Sequence, residues 1–424
     1  VTAFSLVGFS IVSYLIKYAT SIVLARALGV ERYDAYAVAV ASLVLLATFA
    51  ELGLGKYGLK ALPAYLLVGE LRLARAFVRF SLQRVLVVSL LAGGALVLGE
   101  AFNGGHVSLR APWMVALFLP FVAWAGVGSE FLMATGKALA GTLIARVLIP
   151  VVPLLFVLWA SFLHPGEGWL EPSVALFVYG LGWLLGGIAL ITLAPRALFG
   201  GEKLSLDKGE RRKWLQGGLG MASVALAISG LFEGSLILSD FIDMPESDVA
   251  IYAVCMETGG FSYILVKSLD KFYMPMISRE LLRLRVSRVI AIRRRRNRLM
   301  VGVCSAFIIA LFLFGRQLLG LFGTGFERGY WALLLIAVGT IAWTLTSLSQ
   351  WFLVFVRGST YVLRITIPTL LSLVAAGLFF GPTYGVTGMA LIYSLLMVSM
   401  CALMEWRARK ELSRLPEGTS GNSL

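Results

Sequence analysis

Apolar runs of about 20 residues recur along the chain, separated by short polar or charged segments. Candidate spans cover 3–27, 34–54, 82–99, 112–135, 141–163, 173–195, 214–238, 249–275, 299–322, 331–356, 361–382 and 385–406. A helix rises 1.5 Å per residue, so about 20 apolar residues cross a hydrocarbon core of roughly 30 Å. The pattern predicts an all-α polytopic membrane protein with about 12 transmembrane helices. Glycine and proline inside several spans (Gly93-Gly94, Pro150, Pro153, Gly259-Gly260, Pro368) predict close helix approach or local unwinding. Residues 66–84 and 280–298 combine basic residues with apolar periodicity and read as amphipathic helices lying in the membrane interface.

Composition agrees with this pattern. The chain is 59% hydrophobic and 14% charged, with mean hydropathy +0.86, whereas soluble domains run at about 45–50% apolar and about 25% charged. The net charge is +14, but the basic residues sit between apolar runs, which points to membrane orientation and away from nucleic acid. Segments 56–84 and 196–213 each hold six Lys or Arg, and 279–298 holds nine arginines, while loops 164–172 and 239–249 hold none. That alternation predicts cytoplasmic N- and C-termini and an even number of spans. The basic loops would also face anionic membrane lipids.

The two halves echo each other. Tyr36-Ala37-Val38 and Tyr252-Ala253-Val254 lie 216 positions apart, each near the start of the second helix of its half. This predicts two six-helix parallel repeats, with an N-terminal bundle at 1–200, a cytoplasmic linker at 201–213, a C-terminal bundle at 214–407 and a cytoplasmic tail at 408–424. Parallel repeats occur in transporters that hold substrate between their halves and open alternately to each side.

Catalytic and metal chemistry find little support. Cys255, Cys304 and Cys401 fall inside apolar spans, and His106 and His164 fall in polar loops, so neither a disulfide framework nor a zinc site is expected. No nucleotide-phosphate motif or metal-ligand spacing occurs. The remaining chemistry lies in charges inside or beside the spans. Such charges cost about 2.5–3.5 kcal/mol on insertion scales and usually face a cavity or a partner. The 216-residue offset relates Lys17 to Glu233 and Glu51 to Lys267, giving each half one acid and one base with the signs exchanged. We expect these four to border the cavity as charge pairs that form and break during transport. Arg26, Lys56 and Arg146 are further cavity candidates, Arg146 because guanidinium suits bidentate phosphate contacts. Glu233, Glu257 and Asp270 are the ion-coupling candidates, since burial raises a carboxyl pKa toward the working range. Asp270 also lies three residues after Lys267, a spacing open to a local helix pair.

One stretch resembles a known family. LARALGVERYDAYAVAVASL followed by AELGLGKYGLKALPAY is similar to the first helices of polysaccharide or O-antigen flippases of the multidrug/oligosaccharidyl-lipid/polysaccharide (MOP) exporter superfamily. The matching positions are Ala25, Arg26, Leu28, Gly29, Tyr33, Tyr36, Glu51, Leu52, Gly53 and Leu54; Asp34 departs from the pattern, where glycine is usual between the aromatics. The resemblance covers about 60 residues. It implies a flippase, not an enzyme, that moves a lipid-linked oligosaccharide across a bacterial inner membrane by alternating access. It further implies work beside polysaccharide polymerase and assembly partners, with no cofactor beyond a proton or sodium gradient. Two alternatives remain: a multidrug or organic-cation antiporter of the same superfamily, and a membrane-embedded glycan polymerase or glycosyltransferase.

Overall fold

The computed structural model describes residues 3–102, 111–164, 169–193, 208–242, 244–282 and 285–414, and all regular structure among them is helical. In chain order the helices are α1 Ala3–Leu28, α2 Tyr33–Ala50, α3 Leu54–Leu67, α4 Leu71–Phe102, α5 Pro112–Ala134, α6 Ala138–Leu143, α7 Ile149–Leu163 and α8 Pro172–Leu193. They continue with α9 Lys208–Phe241, α10 Glu246–Gly259, α11 Phe261–Leu282, α12 Val286–Gly320, α13 Tyr330–Arg357 and α14 Ser359–Leu412. Ten helices among the described residues are long and apolar enough to cross a membrane. The expected spans 361–382 and 385–406 share α14, which breaks at Gly385 (φ 57°). The expected span 249–275 is divided between α10 and α11 at Gly260. Gly259 packs closely there: a Cβ on it would lie 3.0 Å from Ile336 of α13.

The two amphipathic helices expected within the interface take another form. Residues 66–84 do not form one helix. α3 ends at Leu67, Gly69 turns the chain at φ 79°, and α4 then runs unbroken from Leu71 to Phe102. Likewise α11 ends at Leu282 and α12 runs from Val286 to Gly320. Each basic segment is thus the first turns of a long helix that continues into the apolar stretch. Its backbone bonds carry through without a second set of unsatisfied ends to solvate.

By packing, the chain falls into two compact units. One comprises residues 12–253 with 322–325, the other residues 1–11, 254–321 and 326–424. An aromatic cluster anchors the core of the first. Trp214 is fully buried, donates from Nε1 to Tyr65 Oη at 2.9 Å, and meets Phe77 edge-on at 5.2 Å. Phe77 also packs on Phe131 and Tyr57, so α3, α4, α5 and α9 share one cluster. The other unit has an apolar core of Leu333, Ile336, Ala337, Phe352, Met389, Tyr393 and Met397, all buried between α13 and α14. Gly339 allows that contact: a Cβ there would lie 3.2 Å from both Ser394 and Tyr393.

Candidate functional site

The Glu51-Leu52-Gly53-Leu54 segment forms the turn from α2 into α3. Gly53 is left-handed (φ 63°), and a Cβ on it would come within 2.6 Å of Ala222 N in α9. Both its backbone conformation and the available space therefore require glycine. α9 replies with Gly218, where a Cβ would lie 2.7 Å from Leu52 O. Leu52 itself takes φ 50°, a costly conformation for a residue with a branched side chain. Leu54 is fully buried. The segment thus docks α9 against the α2–α3 turn.

This docking also places Glu51. Its carboxyl lies over Gly126 of α5, with Cδ 3.2 Å from where a Cβ would stand. One turn further along α5, Glu130 lies over Gly55 of α3, again with Cδ 3.2 Å from a notional Cβ. Two carboxyls therefore interlock where the α2–α3 turn and the start of α3 pack on α5, Glu51 over Gly126 and Glu130 over Gly55. Glu51 lies just beyond the span Tyr33–Ala50. Burial, followed by the nearby Glu130 carboxylate, pushes its pKa from 4.5 up to about 8, while Lys56 pulls it down. Like charges sharing a buried site cannot both ionise cheaply. Glu130 was visible in the sequence as an intramembrane acid. Nothing in spacing linked it to Glu51, because 79 residues separate them.

Other sequence candidates of the same unit lie on α1, α3 and α9. Lys17 is an exposed position on α1 between Tyr14 and Tyr18, whose rings stack at 5.6 Å; Tyr18 also meets Phe322 at 5.3 Å. Arg26 is exposed in the last turn of α1, where the helix dipole favours a cation. Beyond it the chain is tied down by Leu170 N donating to Ala27 O at 3.0 Å. Lys56 is half-buried in the first turn of α3, and Glu233 is half-buried on α9, in the same unit as Lys17.

Arg146 sits in a π-helical turn, Ile144–Leu148, that joins α6 to α7. Pro150 explains the turn. It has no N–H to donate to Arg146 O, so the ordinary i to i−4 bond cannot form and the helix widens there. Gly182 of α8 closes over this segment, since a Cβ on it would lie 2.6 Å from Ile149 O.

The other unit holds a second polar cluster. Arg296, fully buried, donates from Nη2 to Asp270 Oδ1 at 3.0 Å and to Ser347 Oγ at 2.6 Å, and from Nη1 to Leu345 O at 3.1 Å. One turn earlier, Arg293 donates to Ser349 Oγ at 2.7 Å and to Glu405 Oε2 at 2.9 Å; Ser349 in turn bonds Glu405. A third link joins Arg357 to Glu411 at 2.8 Å. α11, α12, α13 and α14 are thereby clamped at one end. Asp270 pairs with Arg296 of α12. The side chain of Lys267, the helix neighbour considered from sequence, lies outside the described residues, so the expected Glu51–Lys267 pair does too. Sequence reading missed this cluster because Arg293 and Arg296 stood inside a run of four arginines in which no position differed in chemistry. Only the face on which each residue falls separates them.

Glu257 is half-buried near the end of α10, where Thr340 Oγ1 donates to Gly259 O at 2.7 Å. Among the described residues, no group of three or more His, Cys, Asp or Glu is placed to hold a metal ion.

Residues 2–279 match the family model described as polysaccharide biosynthesis protein. The chain belongs to the polysaccharide biosynthesis protein family. No curated protein matches it. Solved structures share its fold. One is the inward-facing conformation of a multidrug resistance MATE family transporter of the MOP superfamily, at TM-score 0.79 and 14% identity, covering 99% of this chain and 100% of that one. The outward-facing conformation of such a transporter matches at TM-score 0.65 and 13% identity, covering 98% of this chain and 97% of that one. A eukaryotic MATE transporter matches at TM-score 0.61 and 14% identity, with the same coverage of 98% and 97%. The chain thus joins membership of that family to the fold of the solved MATE transporters, with ten helices among the described residues long and apolar enough to cross a membrane.

Proposed function

We propose that this family member is a flippase that moves a lipid-linked oligosaccharide across a bacterial inner membrane for cell-surface polysaccharide assembly. The observation that carries this reading is the family match across residues 2–279. It favours a glycan-linked cargo, while the MATE-like fold supplies a transporter frame. In this reading the polyprenyl phosphate or pyrophosphate meets Lys17, Arg26, Lys56 and Arg146, with guanidinium groups suited to paired phosphate oxygens. Tyr14 and Tyr18 beside Lys17 offer faces on which a sugar can stack. Lys17 with Glu233, and Glu51 with Lys267, change partners as access alternates. Glu233, Glu257 and Asp270 are the carboxyls through which a proton or sodium gradient would act. A polysaccharide polymerase or assembly partner would receive the glycan.

The second reading is multidrug or organic-cation antiport, favoured by the likeness in fold to solved multidrug resistance MATE transporters. One experiment separates the two. Purified protein in liposomes is given a fluorescent polyprenyl-pyrophosphate oligosaccharide, and its exchange between leaflets is followed with and without a proton or sodium gradient, beside a Lys17→Ala variant. Protein-dependent exchange that falls at least about tenfold in the variant supports the flippase. Absence of exchange together with gradient-driven uptake of an organic cation overturns it in favour of antiport.

A further inference from the structure

The first turns of α12 have two opposed faces. Val286, Val289, Arg293, Arg296 and Met300 are buried, at successive spacings of three and four residues. Arg288, Arg294, Arg295 and Arg298 are exposed. With 3.6 residues per turn, these four centre on the side opposite the buried stripe. The helix cannot roll to hide them, because Arg296 is fixed to Asp270 and Ser347, and Arg293 to Ser349 and Glu405. The run of arginines therefore has two jobs: two clamp the helix, and the clamp presents the others outward.

The exposed face is electrostatically costly on its own. Arg294 and Arg298 are four apart and Arg295 and Arg298 three apart, spacings at which like charges oppose each other in a helix. Residues 286–300 contain no Asp or Glu, so relief comes from outside the segment. Ile290, Leu299 and Val301 are exposed beside it, at 40%, 51% and 51% of their full surface. The same helix runs without interruption into an apolar span, Val286–Gly320. Arginines at the mouth of a span, flanked by exposed aliphatic groups, stand where lipid phosphates meet acyl chains. We propose that Arg288, Arg294, Arg295 and Arg298 form a docking stripe for the phosphates of anionic phospholipids in the surrounding bilayer. From Arg288 to Arg298 the stripe spans eleven residues, about 15 Å of helix, long enough to engage more than one headgroup. This inference is independent of the transported cargo.

The test uses the full-length protein in detergent micelles, titrated separately with phosphatidylglycerol, phosphatidylcholine and inorganic phosphate. Lipid retention is read by native mass spectrometry and protein stability by thermal unfolding. The expected result is preferential retention of phosphatidylglycerol with a rise in melting temperature, neither produced by phosphatidylcholine or inorganic phosphate. The combined R288Q/R294Q/R295Q/R298Q variant should lose the preference by at least about tenfold, as expected when several basic residues each hold an anionic surface. The matching four-fold Arg→Lys variant, which keeps the charge, should retain most of it. Equal preference in the Gln variant overturns the proposal, as does stabilisation by inorganic phosphate equal to that by lipid. If the Gln variant does not fold, the wild-type salt dependence decides: loss of the preference in 0.5 M NaCl supports the stripe, and an unchanged preference overturns it.

Discussion

Replacing Glu51 with glutamine keeps the size and hydrogen-bonding capacity of a protonated carboxyl and removes its titration. A carboxyl of ordinary pKa 4.5 that titrates near 8 in the fold remains protonated over a range in which the unfolded chain has already ionised. The folded state is therefore favoured most below pH 4.5. That advantage is lost steadily as pH rises through 8 and changes little beyond it. With these two values, wild-type stability should fall by at most about 3 kcal/mol between pH 6 and pH 9, at 1.36 kcal/mol per pKa unit. Part of this shift comes from the neighbouring Glu130 charge and not from burial of Glu51 itself, so a difference of about 1–2 kcal/mol is the working expectation. For a chain of this size that is a shift of a few degrees. The assay is intrinsic-fluorescence thermal unfolding of the purified protein at pH 6, 7, 8 and 9, for wild type and Glu51→Gln side by side. The variant should melt with a flatter pH profile and gain most over wild type at pH 9. Parallel profiles, with the same loss between pH 6 and 9 in both, would show that Glu51 is ionised in the fold and refute the interlocked-carboxyl argument.

Other outcomes follow from the same geometry. Gly53→Ala should destabilise by more than 1 kcal/mol, since a left-handed φ and a close approach to α9 both oppose it; chemical denaturation reads this, and a neutral result would contradict the docking of α9 on the turn. Arg296→Met should cost about 3–5 kcal/mol by stranding Asp270, while the Asp270→Asn/Arg296→Met double variant should recover part of the loss. Stability losses that add would deny the coupling. Trp214→Phe should cost about 1–2 kcal/mol by deleting the bond to Tyr65 and leaving space in the aromatic cluster, with a lowered melting midpoint as the readout. For transport, Lys17→Glu and Glu233→Lys should each abolish leaflet exchange and the double reversal should restore it; two independent losses would end the proposed pairing.

The order of apolar runs determined the fold class, because a backbone surrounded by hydrocarbon must satisfy its own hydrogen bonds and a run of about 20 apolar residues leaves a helix as the solution. The turn at Glu51–Leu54 was legible only through its resemblance to a family motif, and Gly53 proves to be fixed there by φ and by space. Local pattern could not decide which side each charge faces. Glu51 and Glu130 come within electrostatic reach because the α2–α3 turn packs on α5 at Gly55 and Gly126, a proximity between residues 79 apart with no trace in either neighbourhood. Arg293 and Arg296 differ from Arg294 and Arg295 only in angular position about one helix axis, yet the first two are buried in ion pairs and the others are exposed. The end of the helix also escaped local reading, since 66–84 and 280–298 carry amphipathic periodicity across the points where α3 ends at Leu67, with Gly69 turning the chain, and where α11 ends at Leu282. Periodicity sets what a segment prefers to bury, and the partner helix that arrives decides what it does bury.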